Sequence, residues 1–358
     1  MAVCVVGVWP IPHHLLPSIN DRNDFPCPDE TSILPCTCDF TTDSLLILAC
    51  SGVTSEELNN VFSQSFPILN FDEFQLDNSD FPTLPAGFSN GVNFKHMNFV
   101  SNNIVTVVDQ AFSDSYGTLQ SFVMVSKPSA DTLAWPLPNL GSFTQLTDIF
   151  IQGPYGDFDG PLVSNSLTSA AFNLNYMTSL TTLNTLTGTP NLITLKFDET
   201  SLASIVPDIF IGLTHLESLT ITGSDLTSLE ARSLKLDTHK LTTLDLSGNM
   251  IDTIHPEAIQ FPARLIGLPP QVKLARNQLT KLDETVFLPL LSIPAKVNVE
   301  DNPLECGCDL LWLTDEAVSE EFNRLLGLPE SCHLDGTGYD QDTILDFIEY
   351  QCSNGGTK

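Results

Sequence analysis

The sequence predicts an α/β repeat fold: a curved, horseshoe-shaped solenoid with short parallel strands on its concave face and a disulfide-stapled cap at each end. Three observations predict it. Leu241 to Ile254, LTTLDLSGNMIDTI, reads L-x-x-L-x-L-x-x-N-x-I-x-x-I, with apolar residues at 241, 244, 246, 251 and 254 around Asn249. Stretches of similar pattern recur along the chain, beginning near Phe71, Phe94, Leu119, Leu146, Leu167, Leu192, Leu216, Leu241, Pro269 and Pro294, about 25 residues apart on average. Eight of the nine cysteines form two sets of four on either side of that array. The first pattern is the consensus of a leucine-rich repeat, and the spacing lies in the range of that repeat class. Each repeat supplies one strand too short to bury its apolar face alone, so it needs a neighbour above and below.

In chain order, residues 1–24 read as disordered or as an incomplete signal segment. The start has a short apolar run and no basic region, which makes a poor secretory signal. His13 and His14 fall there and read as tail residues. A cysteine-rich cap follows over 25–66, with Cys27, Cys36, Cys38 and Cys50 spaced C-x8-C-x-C-x11-C. Its Leu45 to Ala49 stretch suits a hairpin strand that covers the first repeat. Thr54 to Phe62 reads as a short helix, because Thr54 and Glu57 stand at capping-box spacing.

About ten repeats fill 67–305. FKHMNFVSNNIVTV (94–107), LITLKFDETSLASI (192–205) and LESLTITGSDLTSL (216–229) match well, with Thr200 and Ser224 in place of the asparagine in two of them. The asparagine amide has a structural task, bonding backbone groups where the chain leaves the strand. Phe88, Phe112, Phe210 and Phe287 fall at later anchor positions and are expected in the core. Repeats three to five are irregular: 126–143 carries three prolines and a tryptophan, and 153–166 is rich in Gly, Pro and Asp. Insertions in a solenoid emerge as loops on one face and often carry binding.

A second cap spans 306–352, with Cys306, Cys308, Cys332 and Cys352. Leu310, Trp312, Leu313 and Val318 suggest a helix across the open end of the stack, and Thr343 to Tyr350 another. The acidic run 335–342 lacks the glycine that a calcium loop needs at its sixth position and reads as a solvated loop. Residues 353–358 form a tail. They leave no hydrophobic segment for a lipid anchor, and no run of apolar residues is long enough to span a membrane.

Composition narrows function. Fourteen Lys and Arg face 44 Asp and Glu, a formal charge of −30, which argues against nucleic acid or an anionic membrane as partner. Two even cysteine sets point to an oxidising, extracellular compartment. The C-x-C pairs lack the C-x-x-C and histidine spacing of zinc sites. The chain contains no nucleophile elbow, H-E-x-x-H, phosphate loop or dinucleotide fingerprint, so no enzymatic activity and no cofactor are expected. N-glycosylation sequons are absent.

In the repeat pattern the x positions of L-x-x-L-x-L point onto the concave face. They bring Val123, Val125 and Phe150 together where water would otherwise sit, which marks a candidate protein-contact patch. Lys273, Arg276 and Lys296 gather near one end of a chain poor in basic residues, where charge can orient a partner.

The two cysteine caps, the ten repeats and the terminal NPLECGCDLLWL resemble secreted leucine-rich-repeat proteins with cysteine-rich caps, over roughly residues 25 to 352. That resemblance implies the pairs Cys27–Cys38, Cys36–Cys50, Cys306–Cys332 and Cys308–Cys352; spacing by itself leaves three connectivities open in each set. The acidic array, the irregular middle repeats and the layout after the second cap look like the arthropod group named for the Oplophorus-luciferin 2-monooxygenase non-catalytic subunit. This implies an accessory or binding role. The sequence therefore leads to a secreted, non-enzymatic protein that binds a protein ligand on its concave face, or a small catalytic chain as an accessory subunit; extracellular immune or signalling recognition is a third use of the same scaffold.

Overall fold

The structure, a computed structural model, describes residues 26–128, 131–133, 135–137, 139–158, 160–180, 186–262, 269–293, 295–305, 307–314, 325–326 and 341–353. The expectations for residues 1–24, the Cys306–Cys332 pair, Val318, the acidic run up to 340 and the tail beyond 353 lie outside these residues.

The N-terminal cap is a hairpin of β1 (Thr37–Phe40) and β2 (Leu46–Ser51), followed by α1 (Ser55–Phe62). The capping box is present: the Glu57 backbone N–H donates to Thr54 Oγ1 at 3.3 Å, and the Thr54 N–H donates to Glu57 Oε2 at 2.8 Å. It orients Leu58, Val61 and Phe62 into the core. The array continues with β3 (Asn70–Asp77), β4 (Asp80–Leu84), β5 (Asn93–Val107), β6 (Ser121–Ser126), β7 (Asp148–Gly153) and β8 (Ser169–Leu174). Then come β9 (Ser179–Leu180), β10 (Thr194–Asp198), β11 (Ser204–Ile205), β12 (Ser218–Thr222), β13 (Ser228–Leu229) and β14 (Leu234–Lys235). Next are β15 (Thr243–Asp245), β16 (Thr253–Ile254), β17 (Ile259–Gln260), β18 (Gln271–Lys273), α2 (Glu284–Ser292), β19 (Lys296–Asn298), β20 (Leu325–Leu326) and α3 (Gln341–Ser353).

One sheet runs β1-β2-β3-β5-β6-β7-β8-β10-β12-β15-β18-β19-β20, parallel at every step after the first hairpin. The ten repeat starts read in the sequence each carry one of its strands. The other side of the solenoid is thin, with turns and the two-stranded ladders β9–β11, β13–β16 and β14–β17; α2 is its helix within the repeats among the described residues.

Alternation decides which side chains face inward. Leu195 and Phe197, Leu219 and Ile221, and Leu244 and Leu246 are fully buried, while their strand neighbours Lys196, Thr220 and Asp245 point out. Burying a large aliphatic side chain stabilises by about 1.5–3 kcal/mol. The first half of the core is aromatic, with Phe74 against Phe94 at 5.0 Å and Phe112 against Phe122 at 5.4 Å between ring centres. The anchors Phe88, Phe112, Phe210 and Phe287 are all buried.

Asparagines lock the C-terminal repeats in step. Asn249 Nδ2 donates to Ile221 O at 2.7 Å and Leu246 O at 2.8 Å, while its Oδ1 accepts from the Ser224 N–H at 3.0 Å. Asn277 and Asn302 repeat the arrangement one and two repeats on. Where the consensus asparagine is missing, Thr200 Oγ1 and Ser224 Oγ bond each other at 2.8 Å.

The caps are bonded through Cys27–Cys38, Cys36–Cys50 and Cys308–Cys352. At the C-terminal end a 3₁₀ turn over Cys308–Thr314 buries Leu310 and Leu313, and the Trp312 indole N–H donates to Leu282 O at 3.1 Å.

Candidate functional site on the concave face

Strands β5 to β8 build the candidate site. Their inward residues, including Phe99, Phe122, Met124, Ile149, Ile151 and Phe172, are buried, which turns the residues between them onto the concave face. In the parallel register Val123 is the partner of Phe150, with Asn98 on its other side, and Val125 stands between Val100 and Gln152. Val123, Val125 and Phe150 are all half-buried, and the fold brings the three together on adjacent strands. Val100 and Ala171, the register partner of Phe150 on β8, extend the patch. The Asn98 Oδ1 beside Val123 is buried and unpaired.

Sequence reading missed Val100 and Ala171. The signal for Val100 was available: it holds the same position in its repeat as Val125 does in the next. Ala171 belongs to a repeat whose outward positions are masked by small residues.

Charge surrounds the patch. The Lys95 ammonium lies 2.7 Å from Asp72, Lys196 lies 2.7 Å from Asp198, and Lys273 lies 2.9 Å from Asp245. Burial works against all three carboxylates, but the lysine hydrogen bonds and their companions outweigh it and hold each below the ordinary value. Asp77 has no lysine partner among these pairs, and burial pushes its carboxyl up.

Lys273 and Lys296 occupy the adjacent strands β18 and β19, while Arg276 stands exposed beyond β18 with a left-handed φ of 54°. They do not form an isolated basic cluster. Lys273 is committed to Asp245, and Lys273 and Arg276 line a cleft of about 790 Å³ that also holds Asp198, Glu199, Glu300 and Asp301. Lys296 is exposed at the start of β19.

His96 Nδ1 and Ser121 Oγ lie 2.8 Å apart in register across β5 and β6, with Glu73 on the other side of His96. Glu73 accepts from Gln75 Nε2 at 2.9 Å. Among the described residues no three His, Cys, Asp or Glu side chains gather as a metal site. No helix of the described residues is long and apolar enough to cross a membrane.

A strand-lined concave face, stacked asparagines and bonded caps define the class: this is a leucine-rich-repeat protein with disulfide caps. The Leucine Rich Repeat family model matches residues 240–261, around Asn249. The chain is distantly related to the Oplophorus-luciferin 2-monooxygenase non-catalytic subunit of Oplophorus gracilirostris, 26% identical over 300 residues that cover 82% of this chain and 80% of that protein. Among solved structures it is similar to a chain of the octameric complex of Latrophilin 3 (Lec, Olf), Unc5D (Ig, Ig2, TSP1) and FLRT2 (LRR). That match has a TM-score of 0.58 and 17% identity, over 87% of this chain and 98% of that one, and speaks to fold alone.

Proposed function

We propose that this chain is a secreted, non-enzymatic binding protein that holds a protein partner on its concave face. The observation that carries the reading is the register of Val123 with Phe150, flanked by Val100 and Val125. It gathers half-exposed apolar side chains on a face otherwise lined by polar and charged ones. Apolar surface of this kind, ringed by charge, marks protein contact sites. Lys95, Lys196 and Lys273 are each paired with an aspartate, while Glu199, Glu300 and Asp301 remain exposed. The partner that fits offers an apolar knob bordered by basic residues. Disulfide caps support an extracellular location.

The likeness to a non-catalytic subunit along most of both chains favours a second, narrower form of the same reading. The partner is then a catalytic chain of a luciferase-type monooxygenase, which this chain stabilises. Immune or signalling recognition would use the same face with a different ligand.

The test is a paired capture from the extracellular fluid of the source, with wild-type protein and the Val125→Asp/Phe150→Asp variant as baits. Proteins retained by the first and lost by the second support the reading, and a small oxidase among them supports the narrower form. Equal recovery by both baits contradicts it.

A further inference from the structure

The two irregular connections, between β6 and β7 and between β7 and β8, meet in an open cleft of about 440 Å³. Trp135, Leu137 and Leu140 come from the first, and Phe158, Leu162 and Val163 from the second. The cleft lies behind the sheet. Trp135 and Phe158 meet edge to face at 5.1 Å, and Phe158 meets Phe172 at 5.2 Å. Phe172 is fully buried under β8, on the side opposite Ala171.

We infer that this cleft is a binding site for a neutral aromatic small molecule. Four observations support that ligand class. The volume falls in the range of small-molecule sites, roughly 300–1,000 Å³. None of the described lining residues is charged, in a chain whose formal charge is −30; an ion would lose hydration without finding a counter-charge among them. The Trp135 indole N–H is already spent on Leu137 O at 3.1 Å, so the ring offers its apolar surface, and aromatic guests favour such edge and offset contacts. Apart from the Trp135 N–H, the Asn139 amide is the one side-chain hydrogen-bonding group among the described lining residues, enough to orient a guest that carries a single polar atom.

Two glycines shape the space. A Cβ on Gly141 would come within 3.2 Å of the Val163 carbonyl oxygen, so that wall is closed backbone. A Cβ on Gly160 would meet nothing within 4 Å, so a larger side chain there projects into free space. This site is separate from the concave patch, and either assignment stands without the other.

The test is a titration of the full disulfide-bonded chain with N-phenyl-1-naphthylamine, a neutral aromatic probe, read by probe emission and tryptophan quenching. Saturable one-to-one binding is expected. So is slower hydrogen exchange, with the probe bound, in the peptides that carry Trp135 and Leu162. Gly160→Leu should weaken the probe about tenfold or more by occupying its space, with an unchanged melting temperature. If that variant unfolds, Val163→Trp at the rim replaces it. The inference is overturned by a lack of saturable binding, by protection elsewhere in the chain, or by equal affinity in a folded variant. It is equally overturned by a dimer that Gly160→Leu dissolves and the probe does not touch, because the cleft would then seat a second copy.

Discussion

Val123 and Phe150 are register partners across β6 and β7, both half-buried on the concave face above a fully packed core. Side chains in that position can be exchanged without opening a cavity. Val125→Asp with Phe150→Asp should therefore cost less than about 2 kcal/mol, near the scale of surface and strand-propensity effects. Phe122→Ala, one residue away but buried, should cost about 3–5 kcal/mol. Chemical denaturation of the two variants checks the contrast.

Asn277 joins two repeats, donating to Leu246 O and Leu274 O at 3.0 Å and accepting from the Ile251 N–H at 3.1 Å. Asn277→Ala strands the buried Ile251 N–H, worth about 1–3 kcal/mol when unpaired, while Leu246 O and Leu274 O keep Asn249 and Asn302 as donors. Urea unfolding should show at least that loss.

Tyr155 is buried, and its hydroxyl lies 2.6 Å from Ser126 Oγ. Burial pushes its pKa up to about 12, against a partial offset from Ser126. The native state therefore keeps the proton after the unfolded chain, whose tyrosine titrates near 10.0, has lost it. Stability should fall as pH rises from 10 towards 12, and Tyr155→Phe should flatten that fall. Melting temperatures across the alkaline range test it. Absorbance titration should find one of the five tyrosines ionising last.

Asp245 shows the opposite sign. Burial raises its pKa, but the Lys273 and Ser247 hydrogen bonds outweigh burial, and the folded value lies below the ordinary 3.8. Its contribution is present above 3.8 and is lost as pH falls through the folded value. Because Lys273 is partly exposed, Asp245→Asn should cost no more than about 1 kcal/mol at neutral pH. The difference from wild type should vanish well below pH 3.8, which acid melting curves will show.

Much of the fold was legible because a solenoid repeats its physics. Leu244, Leu246 and Asn249 state one rule, and the same spacing finds the other strands; Thr54 and Glu57 mark α1 as plainly. The patch was legible too, since alternation tells which residues of a strand face out. The state of the basic residues was not. Lys273 meets Asp245 only because β15 and β18 are neighbours, although 28 residues separate the two in the chain. The cleft was hidden for a related reason. Trp135 and Phe158 lie in connections that follow no repeat pattern, and their contact depends on how two insertions stack.

The central claim is that the face of β5 to β8 holds the partner. Hydrogen exchange of this chain with and without a captured partner tests it most directly. The account predicts slowed exchange in the peptides that carry Val100, Val125 and Phe150, and little change in the caps. Protection confined to the caps or to the turns of the opposite face would contradict it.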